Sequence, residues 1–192
     1  MEESGMNLLE QIAYVARVSN PSNQNNNETA EKLVNYLIKH KHWSPLEMVS
    51  ATVEVETTRD IARQMLRHRS FAFQEFSQRY ADPTAALDFV VRDARLQDTK
   101  NRQNSIDMSV AKEQDLMTAD ILEKDFEAAQ RAIVDPVTNM YENFIKRGIA
   151  KEQARAVLPE GITGSRMYMN GTLRSWVHYI QLRSANGTQK EH

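Results

Sequence analysis

The chain contains no cysteine. That removes disulfides, thiolate metal centres and cysteine nucleophiles together, and leaves the redox compartment undetermined. Only six glycines and five prolines punctuate its 192 residues, and no glycines fall in a G-x-G-x-x-G spacing. A dinucleotide-binding loop of that type is therefore absent. No stretch approaches the roughly 20 apolar residues that a membrane-spanning helix needs. Residues 1–10 are acidic and mixed, not the apolar core of a signal segment. Charge of one sign is also lacking: 24 Lys and Arg against 26 Asp and Glu give a net −2. Nothing global points to nucleic acid or to a membrane surface, so an anion site has to come from local clustering. What remains is an ordinary globular balance, 41 % hydrophobic and 26 % charged. The expectation is one cytoplasmic domain over residues 1–192.

Periodicity supplies the elements. Residues 6–18 carry Leu8, Leu9, Ile12, Val15 and Ala16 on a helical stripe. Residues 20–27 are an Asn-rich loop broken by Pro21, and Thr29 is the expected N-cap of a helix ending near His40. Val49, Ala51, Val53 and Val55 alternate with polar residues, the pattern of a half-buried strand. Residues 58–67 return to helical spacing, and residues 70–83 read as a loop. Residues 86–91 suggest a strand and 97–109 a polar loop. Residues 110–146 read as helix, with Pro136 expected to break or kink it and Gly148 to cap it. A short helix at 152–158 stops at Pro159, residues 161–170 are irregular or extended, and 173–182 form a last helix. Helices mixed with a few strands, without strict alternation, give an α+β class.

The chemistry concentrates between Arg59 and Arg79. Arg59, Arg63, Arg67, His68, Arg69 and Arg79 lie there with Gln64, Glu75 and Ser77. On a helix Gln64 and Arg67 share a face, and cations at its C-terminal end suit the helix dipole. A bland reading, solvated or dipole-capping arginines, stands beside the functional one. The run Gln74 to Arg79 packs amides, a carboxylate, a hydroxyl and a guanidinium into six residues. Phosphate takes a guanidinium and hydroxyl donors; a pyrimidine edge takes an amide's paired donor and acceptor. Further arginines, Arg155 and Arg183, fall near expected helix ends. Phe71, Phe73, Phe76 and Tyr80 read first as core. His40 and His42 lack a nearby third metal ligand, and Ser77 has no Ser-His-Asp pattern around it. Arg155 also has a simple partner in Glu152, three residues earlier.

The string RHRSFAFQEFSQRY, residues 67–80, resembles the signature of the flavin-dependent thymidylate synthases, the ThyX family. Fixed Arg67-His68-Arg69, seven intervening residues and Ser77 make a specific spacing. Four other blocks resemble the family in order: residues 16–19, 40–47, 153–159 and 173–183. The resemblance implies the ThyX-like fold, a mostly antiparallel mixed sheet with flanking helices that include a long helix pair. It implies reductive methylation of dUMP to dTMP, with 5,10-methylenetetrahydrofolate as carbon donor and NADPH, through FAD, as hydride source. It places dUMP on Gln64, Arg67, Glu75, Phe76, Ser77, Gln78, Arg79, Arg155 and Arg183, with Arg183 as electrostatic catalyst against the uracil ring. It places FAD on Ser44, Arg67, His68, Arg69, Glu75, Thr172, Arg174 and His178. It further implies a homotetramer whose subunits share active sites, and no metal. The missing cysteine agrees: a thiolate attack on uracil C6 is not available here. Residues 187–192 resemble the start of the family's last block, implying a chain shorter at both ends than the family's usual length.

Two other readings use the same residues. One is a dUMP- or nucleotide-binding fragment of the family that does not turn over. The other, a metal-dependent nucleotide phosphohydrolase, requires clustered carboxylates such as Glu123, Asp125 and Glu127 to hold Mg²⁺; these read more simply as a solvated helix face.

Overall fold

The computed structural model describes residues 5–185 and 187–192, without the Gln114 side chain. The reading of the N-terminal ten residues therefore falls partly outside the described chain, at Met1–Ser4. The described residues form two compact units. The first comprises residues 5–53, Ser70–Ala72 and Met169–Leu182; the second comprises Glu54–Arg69, Phe73–Tyr168 and 183–192.

The first unit is built on α1 (Leu8–Ala16) and α2 (Ala30–Lys39). Asn7 opens α1 with a reciprocal capping box: its side chain accepts from the Glu10 N–H at 3.0 Å, and its own N–H donates to Glu10 Oε2 at 2.8 Å. Ala30, Val34 and Leu37 are the buried stripe of α2. Thr29 is the N-cap of α2, but its hydroxyl does not cap the helix; it accepts from Arg17 Nη2 at 2.8 Å instead. The C-terminus of α2 closes in a Schellman arrangement, with Lys41 N–H on Ile38 O at 3.1 Å and His42 N–H on Leu37 O at 2.8 Å. Lys41 is consequently left-handed, at φ 59°. Ile12, Val34, Leu37, Leu46 and Val49 form the core, flanked by Trp43, Leu173 and Val177.

A three-stranded sheet runs in the order β1 (Ser50–Thr58), β5 (Gly164–Thr172), β2 (Ala72–Glu75). The alternating run at Val49–Val55 and the stretch at 161–170 supply its two long strands, and β2 lies inside the segment expected to be loop. In the first unit the sheet leads into α8 (Leu173–Arg183), whose Trp176 Nε1 donates to Ala51 O at 3.1 Å. Gly171 is required there, because a Cβ would lie 2.4 Å from the Phe71 ring.

The second unit holds α3 (Arg59–Met65), α4 (Pro83–Ala86), a hairpin of β3 (Arg95–Gln97) and β4 (Ser105–Asp107), α5 (Met108–Gln114), α6 (Leu116–Lys146) and α7 (Lys151–Ala154). Two expectations fail here, and the break expected as one outcome at Pro136 does not occur. The strand at 86–91 reduces to the end of α4 and an isolated bridge, Phe89 with Thr163. The loop at 97–109 holds the turn and the second strand of the antiparallel hairpin β3–β4. Its turn is organised by Asp98, which accepts from the Lys100 and Asn101 N–H groups and from Asn104 Nδ2. Helix α6 continues through Pro136 for 31 residues and divides from α5 at Asp115, whose carboxylate caps it on Thr118. Proline removes one intrahelical bond in a helix of that length, and packing holds the rest: Gln130 and Tyr141 of α6 are buried. Gly148, at φ 89°, closes α6 with bonds to Ile145 O and Ile149 N–H to Phe144 O. Tyr141, Ala154 and Leu158 form a core cluster with Phe89, Phe144, Ile145 and Val157.

Candidate active site

Within the second unit, α3 places Arg59 and Arg63 four residues apart, on one helix face. They line a cleft of about 230 Å³ with Gln78, Glu152, Arg155 and Glu160. Arg59 sits 3.5 Å from Glu75 and Arg63 2.5 Å from Glu160. Glu75 also accepts from Ser165 Oγ at 3.0 Å. Arg155 donates to the Glu152 main-chain oxygen at 3.2 Å, while the Glu152 carboxylate takes Arg79 at 3.1 Å. The ion pair expected between Arg155 and Glu152 does not form: Arg155 meets only the Glu152 backbone, and the carboxylate goes to Arg79. Gln78 is 3 % exposed, and its Nε2 has no hydrogen-bond partner. A buried idle donor costs about 1–3 kcal/mol. Donors from three guanidiniums and an idle amide suit an anion that carries a carbonyl-bearing ring. Phe76 is held through its N–H on Arg166 O at 2.8 Å, and the Ser77 hydroxyl accepts from the Arg79 N–H at 3.4 Å.

A second group in the same unit gathers Gln64, Arg67, His68 and Arg183. Arg183 Nε and Nη2 lie 2.9 and 2.6 Å from His68 Nε2. Gln64 Nε2 donates to Gln189 Oε1 at 2.9 Å, and His192 Nδ1 lies 3.4 Å from Gln64 Oε1. Burial, then the charges of Arg183 and Arg67, hold the His68 pKa below the ordinary histidine value. Burial and the same neighbourhood lower His192 to about 4. Arg67 and Arg69 are exposed at the end of α3.

In the first unit, Arg174, Ser175 and His178 of α8 line a cleft of about 260 Å³ with Glu47 and Ser70. Arg174 pairs with Glu47. His178 is exposed and stands edge-on to Trp43, ring centroids 4.7 Å apart. Ser44 is exposed at the start of a 3₁₀ turn. Thr172 caps α8, its hydroxyl accepting from the Ser175 N–H at 3.3 Å. Cation, imidazole and hydroxyls match a phosphate-bearing group.

Sequence reasoning placed Arg59 and Arg63 in the dense region without giving them a role; their four-residue spacing was the available signal. Glu47, Glu160, Ser70 and Ser175 were not singled out, since an isolated Glu or Ser carries no pattern. His40 and His42 sit with ring centroids 6.3 Å apart, and among the described residues no three His, Cys, Asp or Glu side chains gather as metal ligands. Glu123 is taken by Lys112 and Glu127 by Arg131, which answers the Mg²⁺ reading with ordinary ion pairs.

Cationic clefts and an idle buried amide offer donor chemistry of the kind that anionic, ring-bearing ligands take. The family model described as thymidylate synthase complementing protein matches residues 5–192. A probable flavin-dependent thymidylate synthase of Paramecium bursaria Chlorella virus 1 is 49 % identical over 189 residues, covering 98 % of this chain and 82 % of the relative. The flavin-dependent thymidylate synthase of Synechocystis sp. is 48 % identical over 181 residues, covering 94 % and 77 %. A crystal structure of the UMP/dUMP methylase PolB from Streptomyces cacaoi, bound with 5-Br dUMP, superposes with a TM-score of 0.63 at 27 % identity, covering 91 % of this chain and 72 % of that one. The chain belongs to the thymidylate synthase complementing protein family, to which the ThyX signature at residues 67–80 had pointed.

Proposed function

We propose that the chain is an FAD-dependent thymidylate synthase acting as one catalytic domain: a methyltransferase that converts dUMP to dTMP with 5,10-methylenetetrahydrofolate and NADPH. The observation that carries the substrate reading is the arginine-lined cleft with the idle Gln78 amide. Arg79, Arg155 and the Ser77 hydroxyl suit the phosphate. Gln64, Gln78 and Glu75 offer donors and acceptors of the kind a uracil edge requires, and Arg67 and Phe76 belong to the same proposed set. Arg183 supplies a fixed positive charge where negative charge develops on the ring. Arg79 has to exchange Glu152 for the phosphate. That pair is surface-exposed on both sides, so the exchange costs little.

The donor chemistry of the first unit fits FAD. Arg174, His178, Ser44 and Thr172 would hold it there, and Arg67, His68, Arg69 and Glu75 are the corresponding groups of the second unit. When bound, FAD supplies the hydride, taken from NADPH, that completes the methyl group. The protein's part is to bind, orient and set charge; without a cysteine it offers no thiolate for C6.

Self-association into a homotetramer with shared sites is part of the same reading. Leu122, Phe126, Ile133 and Met140 of α6 are each 42–46 % exposed. They repeat at spacings of four and seven residues, the seam of a helix that packs on another. Sedimentation velocity is expected to give a tetramer; a monomer at micromolar concentration contradicts it. A cytoplasmic location goes with soluble substrates, and no described helix is long and apolar enough to cross a membrane. Release of tritium from dUMP labelled at C5, dependent on FAD, NADPH and the folate, tests the reaction itself.

A further inference from the structure

We infer that His68 is a positioning residue: its neutral imidazole, unprotonated at Nε2, orients the Arg183 guanidinium without cancelling its charge. The inference rests on the proposed reaction only for what Arg183 does once oriented.

Arg183 brings two nitrogens, Nε and Nη2, to a single atom, His68 Nε2, at 2.9 and 2.6 Å. A guanidinium has donors and no acceptor. Nε2 must therefore accept, which places the imidazole proton on Nδ1. Other arginines of the chain are held differently. Arg59, Arg63, Arg79, Arg92 and Arg174 each face a carboxylate. A carboxylate fixes an arginine firmly but opposes its field. A neutral imidazole fixes it through the Nε edge and leaves the positive charge whole, with Nη1 turned away from the pair. For a group that has to stabilise developing negative charge, this is the useful form of restraint.

The surroundings preserve that form. Arg183 reaches His68 from the end of α8, Arg67 is its chain neighbour, and the His192 ring stands edge-on at 6.1 Å. Partial burial, then the charges of Arg183 and Arg67, disfavour a proton on His68. Below its pKa the acceptor disappears and a like charge appears beside Arg183. The arginine then loses both its restraint and part of its electrostatic advantage.

The test has two readouts. In the full-length protein, long-range ¹H–¹⁵N spectra of the imidazole are expected to show the Nδ1–H tautomer at neutral pH, titrating below the ordinary histidine value of 6.5. Arg183→Gln is expected to raise that titration. A proton on Nε2 at neutral pH, or a titration indifferent to Arg183→Gln, overturns the inference. In turnover, wild-type kcat/KM for C5 tritium release is expected to fall about tenfold per pH unit on the acid side, as a single protonation requires. Glutamine places a non-titrating oxygen where Nε2 lies, so His68→Gln is expected to lose that acid limb whatever its absolute rate. His68→Ala is expected to lose about 10-fold or more in kcat/KM on the neutral plateau and to converge with the wild type on the acid limb. An acid limb unchanged in His68→Gln overturns the inference. If the wild type releases no tritium, the proposed reaction fails, while the tautomer spectra still decide the role of His68.

Discussion

At the scale of single residues, the binding role proposed for Gln78 comes at the expense of stability. Its amide is buried with Nε2 unmatched, in a cleft lined by Arg59, Arg63 and Arg155. An apolar residue of similar volume removes the idle donor, and such replacements are neutral or stabilising. Gln78→Met is therefore expected to leave the free protein unchanged or about 1 kcal/mol more stable, while weakening dUMP binding about 10-fold. Urea unfolding and calorimetric titration with dUMP check the two halves separately. Loss of more than about 2 kcal/mol with dUMP affinity unchanged contradicts the assigned role. The sequence carried the residue types at this scale, since the motif at residues 67–80 is contiguous. It could not carry their pairings. That Glu152 takes Arg79 rather than Arg155, or that Arg183 meets His68, depends on contacts 73 and 115 residues apart.

At the scale of elements, the helices with strong apolar stripes, α1, α2 and α8, were legible within a few residues. The hairpin β3–β4 was not. Its strands are three residues each, and its turn is made by Asp98 and asparagine side chains that read as loop composition. Pro136 does not break α6, because a local rule yields to a long helix held by buried Gln130 and Tyr141. The end of α2 offers a clean test. Lys41 holds a left-handed conformation that the Schellman closure demands, and glycine adopts it without steric cost. Lys41→Gly is expected to stabilise the protein by about 0.5–1 kcal/mol, read as a higher urea midpoint at constant m-value. A lower midpoint contradicts the described closure.

At the scale of the whole molecule, acid stability follows from the second unit's histidines. His68 and His192 both have folded pKa values below the ordinary 6.5, and that of His192 is about 4. Below pH 6.5 the unfolded chain binds protons that the folded chain refuses. Stability is therefore complete above that pH and is lost as pH falls from 6.5 toward 4. Asp60 extends the loss to lower pH. Burial raises its pKa, but hydrogen bonds from Arg92 and Thr58 outweigh that and lower it below 3.8. His192→Gln is expected to flatten the upper part of this profile in urea titrations at several pH values. An unchanged slope between pH 6.5 and 4 contradicts the half-buried placement of that ring. Family and reaction were legible from ordered motifs spanning the chain. The proposed self-association was not legible in this way, because the repeat of exposed apolar residues on α6 looks in sequence like any amphipathic helix.

The central claim is that this chain methylates dUMP through a flavin, with Arg183 as the electrostatic group. The most direct measurement supplies the purified protein with FAD, NADPH, methylenetetrahydrofolate and dUMP tritiated at C5, and follows tritium release in wild type and Arg183→Ala. Release that requires all three co-reactants is expected in the wild type, and its loss in Arg183→Ala with the flavin spectrum retained. Release without flavin, or full release from Arg183→Ala, would contradict it.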